Sequence, residues 1–348
     1  YNVQNRGGKG RRGANLHEED QVAGMVVTTT HNDVLLFTSR GRVFAIKGHM
    51  VPETKSGKGR KVEQFISLSE GETVVEILGR FPDNCSTVVL ITRRGIAKRM
   101  DKSELQNLTR AGRQIMTLDD GDDIARIRCT NGLDDLFLVS AMGRGLRISE
   151  DEIRTMGRSA RGVKAMKLGK DDEIISCEVI AGDSRILLVS QRGIGKITSY
   201  DEFSVHHRAT GGQRAMRIGD RTGRLAVANT VFPGDEVALM TAGGNIIRLA
   251  VDSIPQLGRD AAGSILIRPE NGDEVANVSL IHKEDLVQSG GLRAVEPKPA
   301  PQRPVEPTLP FGEDDDDGLE FGDVPGAILD APDAGAPSDS GSEPEKED

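Results

Sequence analysis

The sequence predicts an all-β protein built as a tandem array of propeller-type units, and three observations carry that prediction. A hairpin signature recurs five times, its period is close to the length of a propeller blade, and strand-like alternation outweighs helical periodicity throughout residues 1–290. The signature is an apolar run, a Thr or Ser, a short turn closed by Gly, and then an alternating basic and apolar run. It occupies residues 35–47 (LLFTSRGRVFAIK), 89–99 (VLITRRGIAKR), 137–148 (FLVSAMGRGLRI), 187–197 (LLVSQRGIGKI) and 238–249 (ALMTAGGNIIRL). The turn glycines Gly41, Gly95, Gly143, Gly193 and Gly244 are separated by 54, 48, 50 and 51 residues. Each segment reads as a β-hairpin, because β-branched and aliphatic residues flank a turn whose Gly supplies positive φ.

Between hairpins lies a second repeated element, a glycine followed six residues later by an aliphatic, as in Gly10/Leu16, Gly112/Leu118, Gly162/Leu168 and Gly212/Ile218. Acidic turns follow it, among them residues 119–123 and 171–173, and then further strand-like runs at 124–127 and 174–180. Each repeat is thus about four short strands. Five hairpins stand against six glycine-led segments, so half a unit is missing at the start, and Tyr1 in place of Met marks the chain as part of a longer polypeptide. Helical signals are short, at residues 102–108 and 150–156.

Residues 291–348 are of another kind. They hold 4 basic and 16 acidic residues and ten of the 15 prolines, whereas residues 1–290 hold 41 basic and 38 acidic residues. Such a segment buries too little apolar surface to offset its ordering entropy, so a disordered acidic tail is expected there beyond a folded domain at 1–290. The longest aliphatic runs, such as residues 88–91, fall far below the roughly 18 apolar residues of a membrane helix, which predicts a soluble protein without a membrane partner. Cys85, Cys129 and Cys177 show no Cys-x-x-Cys spacing, which suits a reducing cytoplasm.

Catalytic signatures are sparse. None of the Gly-Lys pairs continues as a Walker A loop, and the literal G-x-G-x-x-G at Gly8, Gly10 and Gly13 neither follows a strand nor opens a helix. The six histidines form no HExxH, and the acidic turns lack the ligand order of an EF-hand. No metal or cofactor is expected for this chain.

Basic residues, by contrast, recur at fixed places. At the hairpin turn and its outgoing strand stand Arg40, Arg42 and Lys47; Arg93, Arg94, Lys98 and Arg99; Arg144 and Arg147; Arg192 and Lys196; and Arg248. Near the glycine-led segments stand Lys58, Arg60 and Lys61; Arg110 and Arg113; Arg158, Arg161 and Lys164; Arg208, Arg214 and Arg217; and Arg259. In a ring of blades, equivalent positions share a radius, so these residues predict a basic belt. Eleven aromatics, most inside strand patterns, leave few stacking platforms for single strands, and no recognition helix is visible. Duplex DNA held by its phosphates is the partner that remains.

The start of the chain sharpens this reading. Gln4, Asn5, Arg6, Gly7, Gly8, Lys9 and Gly10 closely resemble the GyrA box, Gln-[Arg/Lys]-Arg-Gly-Gly-[Arg/Lys]-Gly, which marks the C-terminal domain of the DNA gyrase A protein. Six of seven positions fit, and Asn5 replaces the usual base. The hairpins, the repeat length and the acidic tail resemble that domain as well. The resemblance implies a six-bladed β-pinwheel that wraps duplex DNA with positive handedness, its box contributing Arg6, Lys9, Arg11 and Arg12 as charge and its glycines as room for a phosphate. It further implies a complete enzyme that supercoils DNA negatively with ATP and Mg2+ bound elsewhere, the gyrase B protein as partner in an A2B2 assembly, a catalytic tyrosine upstream of this chain, and a cytoplasmic, nucleoid-associated location. Among the alternatives, the C-terminal domain of the topoisomerase IV A protein shares the fold but has a degenerate box. A protein-binding propeller would show no salt-dependent DNA affinity, and a propeller hydrolase would need recurring central carboxylates.

Overall fold

The computed structural model describes residues 6–8, 11–12, 28–52, 60–79, 81–270 and 272–282. The predicted tail at 291–348 and its boundary at 290 lie outside the described residues. Within them the protein is all-β: short strands linked by turns and single turns of 3-10 helix. Two of those turns, Lys102–Leu105 and Glu150–Glu152, fall where short helices were expected. No helix among the described residues is long and apolar enough to cross a membrane.

Five four-stranded antiparallel sheets account for the strands, where six blades were expected. The second sheet shows the plan. Its order is Val163–Lys164, Ile96–Asp101, Thr87–Thr92, Ile124–Thr130, so the hairpin sits in the middle, the inner strand comes from the same repeat, and the outer strand comes from the next. The five inner strands, Val74–Leu78, Ile124–Thr130, Ile174–Ile180, Leu225–Val231 and Val275–Ile281, all contribute to the wall of one central cavity. The outermost strands are Arg113–Gln114, Val163–Lys164, Gln213–Arg214, Ser264–Ile265 and, in the fifth sheet, Arg11–Arg12.

That last strand explains the sheet count. Each hairpin takes its outer strand from the glycine-led segment that follows the next hairpin, and the fifth hairpin, with no described hairpin after it, takes Arg11–Arg12 from the start of the chain, Arg11 opposite Ile246 and Arg12 opposite Asn245. The first glycine-led segment therefore completes the fifth sheet, which links the two ends of the described array.

The repeated Thr or Ser and the repeated Gly have separate duties. Gly95 has φ +80° and donates its N–H to Thr92 O at 3.0 Å, and a Cβ there would lie 2.6 Å from Met166 O in the segment that crosses from the next blade. The hydroxyl three residues earlier accepts from the first N–H of the outgoing strand: Arg42 to Thr38, Ile96 to Thr92, Arg144 to Ser140, Ile194 to Ser190 and Asn245 to Thr241, all at 3.1–3.3 Å. Every one of these hydroxyl residues is buried. The acidic turns are also more structured than solvated loops: Asp122, only 2% exposed, accepts from the N–H groups of Arg94 and Asp123, and Asp172 does the same for Met142 and Glu173.

The core lies between sheets, since both faces of a sheet pack on its neighbours. Val89, Ile91 and Ala97 of the second sheet meet Leu136, Leu138, Leu146 and Ile148 of the third. Phe137 anchors the next layer, 4.6 Å from the Phe203 ring and edge-on to Tyr200 at 5.2 Å.

Candidate nucleic-acid interface

The exchanged outer strands decide which cations reach the perimeter. A strand at the edge of a sheet leaves its outward side chains to solvent, and Lys164 and Arg214 are exposed there, opposite Ile96 and Arg144 in register. In the first sheet Gln114 takes that place, opposite Arg42, and Arg113, one residue earlier and half-buried, donates from its guanidinium to Gln106 O and Asn107 O at 3.0 and 3.2 Å. The backbone of Arg11 and Arg12 takes this position in the fifth sheet. The fourth sheet has Ser264 and Ile265 there and adds no base.

The hairpin tips add Arg40, Arg94, Arg144 and Arg192, all exposed. Arg144 donates to Gly211 O and Gly212 O at 3.0 and 2.5 Å, and Arg94 to Asp120 O at 3.0 Å, while Arg192 donates to Asp220 O. Arg60, Lys61 and Arg161 are exposed as well. Several perimeter arginines face carboxylates: Arg40 and Asp123 at 3.5 Å, Arg161 and Asp119 at 2.9 Å, Arg214 and Asp260 at 3.3 Å. Exposed pairs of this sort contribute about 0–1 kcal/mol, so a phosphate can replace the carboxylate at little cost.

The box forms part of this rim. Gly7, at φ +83°, donates its N–H to Leu266 O at 2.6 Å, and its own carbonyl accepts from Arg268 Nη1 at 2.5 Å. Gly8 O accepts from the Arg268 N–H at 2.9 Å, and Arg6 is exposed beside them. The box is therefore docked on the segment following the fourth outer strand. Gln4, Lys9, Gly10 and, in the following repeat, Lys58 lie outside the described residues.

Not every cation of the expected belt is on the rim. Lys98 and Lys196 are fully buried: Lys98 Nζ donates to Ile115 O and Arg158 O at 2.5 and 2.7 Å, and Lys196 Nζ to Gly258 O and Arg259 O at 2.6 and 2.9 Å. Burial pushes both ammonium groups down to about 8. Their place is to pin the crossing loops that present Arg158 and Arg259. Arg99 and Arg147 are mostly covered and paired with Asp151 and Asp135 at 3.2 and 2.8 Å. Arg42 binds Glu72, whose carboxyl burial pushes up but whose hydrogen bonds from Arg42, Thr38 and the Ser69 N–H hold at about 2.

Sequence reasoning missed the exposed bases Lys167 and Arg268, which share one position of the repeat with Arg217 of the expected belt, just after the buried pairs Ala165-Met166, Leu266-Ile267 and Ala215-Met216. Their roughly 50-residue spacing was the available signal. It also missed Arg128, half-buried at the hub and bridging Glu76 and Glu178 at 2.8 Å each; desolvation opposes its charge, and the two carboxylates more than restore it.

Comparison with known proteins agrees with this architecture. The family model described as DNA gyrase C-terminal domain, beta-propeller, matches residues 1–29, 32–78, 86–131, 134–181, 184–230 and 235–282. Its six segments include the N-terminal one, which here supplies the outer strand of the fifth sheet. The DNA gyrase A protein of Aminobacterium colombiense is 50% identical over 285 residues, covering 82% of this chain and 35% of that protein, and its Escherichia coli counterpart is 32% identical over 301 residues, covering 84% and 34%. The chain thus spans about a third of the length of these relatives. Among solved structures, a DNA gyrase A C-terminal domain superposes with a TM-score of 0.71 at 20% identity, covering 81% of this chain and 93% of that one. A topoisomerase IV C-terminal domain superposes at 0.66 with 25% identity, covering 73% and 80%. With the family model matched across all its repeats, this chain belongs to the DNA gyrase C-terminal domain family.

Proposed function

We propose that this domain binds duplex DNA along its perimeter and bends it, wrapping a segment for passage by a complete gyrase. The observation that carries the reading is the set of outermost strands, which bring Lys164 and Arg214 to one register place in two sheets, and Arg113 and the backbone of Arg11 and Arg12 to the outer strands of two others. Affinity comes chiefly from counterion release as guanidinium and ammonium groups replace cations condensed on the phosphates. Bending about 20–30 base pairs by 40–90° costs on the order of 1–6 kcal/mol, so several sheets must contact the duplex together. Specificity then follows the ease of bending, with no base read directly.

In this reading the domain has no turnover and holds no cofactor. ATP and Mg2+ act in other parts of the enzyme, the DNA is cut by an upstream domain, and the gyrase B protein joins in an A2B2 assembly in the cytoplasm, at the nucleoid. Positive handedness of the wrap is carried over from the family. A gel shift with duplexes of increasing length, at low and high salt, tests the reading: affinity should climb with length well beyond a short oligonucleotide and fall steeply with salt. Affinity that levels off at a single-blade footprint would remove wrapping.

A further inference from the structure

We infer that Ser253 is a positioning residue for the box: it stands where three other sheets carry a glutamate, and so leaves Arg6 without a carboxylate partner and available to a phosphate. The inference rests on the DNA-binding reading above and identifies what sets one sheet apart within it.

Backbone geometry identifies the counterparts of Arg6 in the other repeats. Gly7, at φ +83°, donates its N–H to Leu266 O at 2.6 Å, and Gly8 forms a parallel bridge with Ile267. Ala209, at φ +62°, donates to Ala165 O at the same 2.6 Å, and Thr210 bridges Met166 in parallel. Positive φ is uncommon away from glycine, so this shared conformation marks one position of the fold. Arg6 and Arg208, the residues just before it, are therefore equivalent. Each lies four positions before a glycine, Gly10 or Gly212, as Arg158 lies before Gly162 and Arg259 before Gly263.

Each of the three later arginines enters its sheet beside a glutamate from the 3-10 turn that closes the hairpin. Glu104 Oε2 lies 3.1 Å from Arg158 Nε. Glu152 accepts from the Arg208 N–H at 3.4 Å and pairs with the His207 ring at 2.8 Å. Glu202 accepts from the Arg259 N–H at 3.4 Å. These glutamates fall nine residues after the turn glycines Gly95, Gly143 and Gly193. Nine residues after Gly244, in the fifth hairpin, stands Ser253, exposed, with its hydroxyl donating to Ala250 O at 2.7 Å. The first hairpin has Met50 and its crossing segment Leu108 at the two places, so acid and base are absent together there. Among the five hairpins the base stands without the acid in the fifth alone. Arg6 is exposed and has no ion pair among the described residues.

A carboxylate beside a guanidinium competes with phosphate for it and repels the incoming charge. For an exposed pair that competition amounts to about two- to fivefold in affinity. Ser253 removes it at the one sheet that holds the box.

The test is the affinity of the full chain for a duplex long enough to span several sheets, at low and high salt. Ser253→Glu should weaken binding about two- to fivefold at low salt, and the difference should fade as salt screens it. Ser253→Gln, similar in size and uncharged, should bind like wild type. In an Arg6→Gln background Ser253→Glu should have no further effect, since its target is gone. Conversely, Glu104→Gln should tighten binding, and Arg158→Gln should abolish that gain. The inference is overturned by unchanged affinity in Ser253→Glu, by an equal loss in the Arg6→Gln background, or by no gain in Glu104→Gln, provided that wild type binds duplex. Wild type without salt-dependent binding would overturn the DNA-binding reading itself, and this inference with it. The Glu104→Gln pair of measurements decides the matter even if Ser253→Glu folds poorly.

Discussion

Thr92 is 1% exposed and accepts the Ile96 N–H at 3.1 Å, so its hydroxyl, and not its methyl, is what the turn requires. Replacing Thr92 by Val keeps the shape and leaves a buried donor unpaired, which costs about 1–3 kcal/mol. Urea unfolding of Thr92→Val should show that loss as a lower midpoint with unchanged slope. The two buried lysines carry a second prediction at this scale. Their folded pKa of about 8 lies below the unfolded 10.5, so between those values the unfolded chain binds more protons and stability rises with pH. Wild type should therefore gain stability from pH 8 to 10 relative to Lys98→Met, as measured by urea midpoints at each pH; a falling or flat difference would contradict the burial argument. The sequence placed Lys98 and Lys196 in the belt with Arg94 and Arg144, and nothing local distinguishes them. Both faces of a propeller sheet are covered, so strand alternation does not separate a buried cation from an exposed one.

At the scale of elements, the hairpins were legible because their turn chemistry is local: a hydroxyl, two residues, a glycine. The outer strands were not. Each is two residues long and pairs with a hairpin in the preceding repeat, or, for Arg11–Arg12, with one more than 230 positions away, and no short-range pattern encodes such a partner. The inner strands depend on Arg128, which ties Val74–Leu78 to Ile124–Thr130 and Ile174–Ile180 through Glu76 and Glu178. Removing Arg128 from this half-buried network leaves the buried Glu178 carboxylate uncompensated, at a cost that the about 3–5 kcal/mol of a fully buried pair bounds from above. Arg128→Met should lower the thermal midpoint markedly, whereas the triple change that also makes Glu76 and Glu178 into Gln and Leu should recover much of the loss. Equal destabilisation by both would place the energy in packing and not in charge.

For the whole molecule, the all-β fold class and the repeat were accessible from periodicity, while the count of sheets among the described residues was not, because the first glycine-led segment pairs with the fifth hairpin. The separation of rim from interior is the central claim: cations on the outer strands meet phosphate, and buried ones hold the loops that carry them. The salt dependence of duplex binding tests it most directly, since each lost phosphate contact reduces the slope of log K against log salt by about 0.9. Lys164→Gln combined with Arg214→Gln should reduce that slope by about 1.8, and Lys98→Met should leave it unchanged on protein verified as folded. A slope that falls for Lys98→Met and holds for the outer pair would contradict the placement of the DNA on the perimeter.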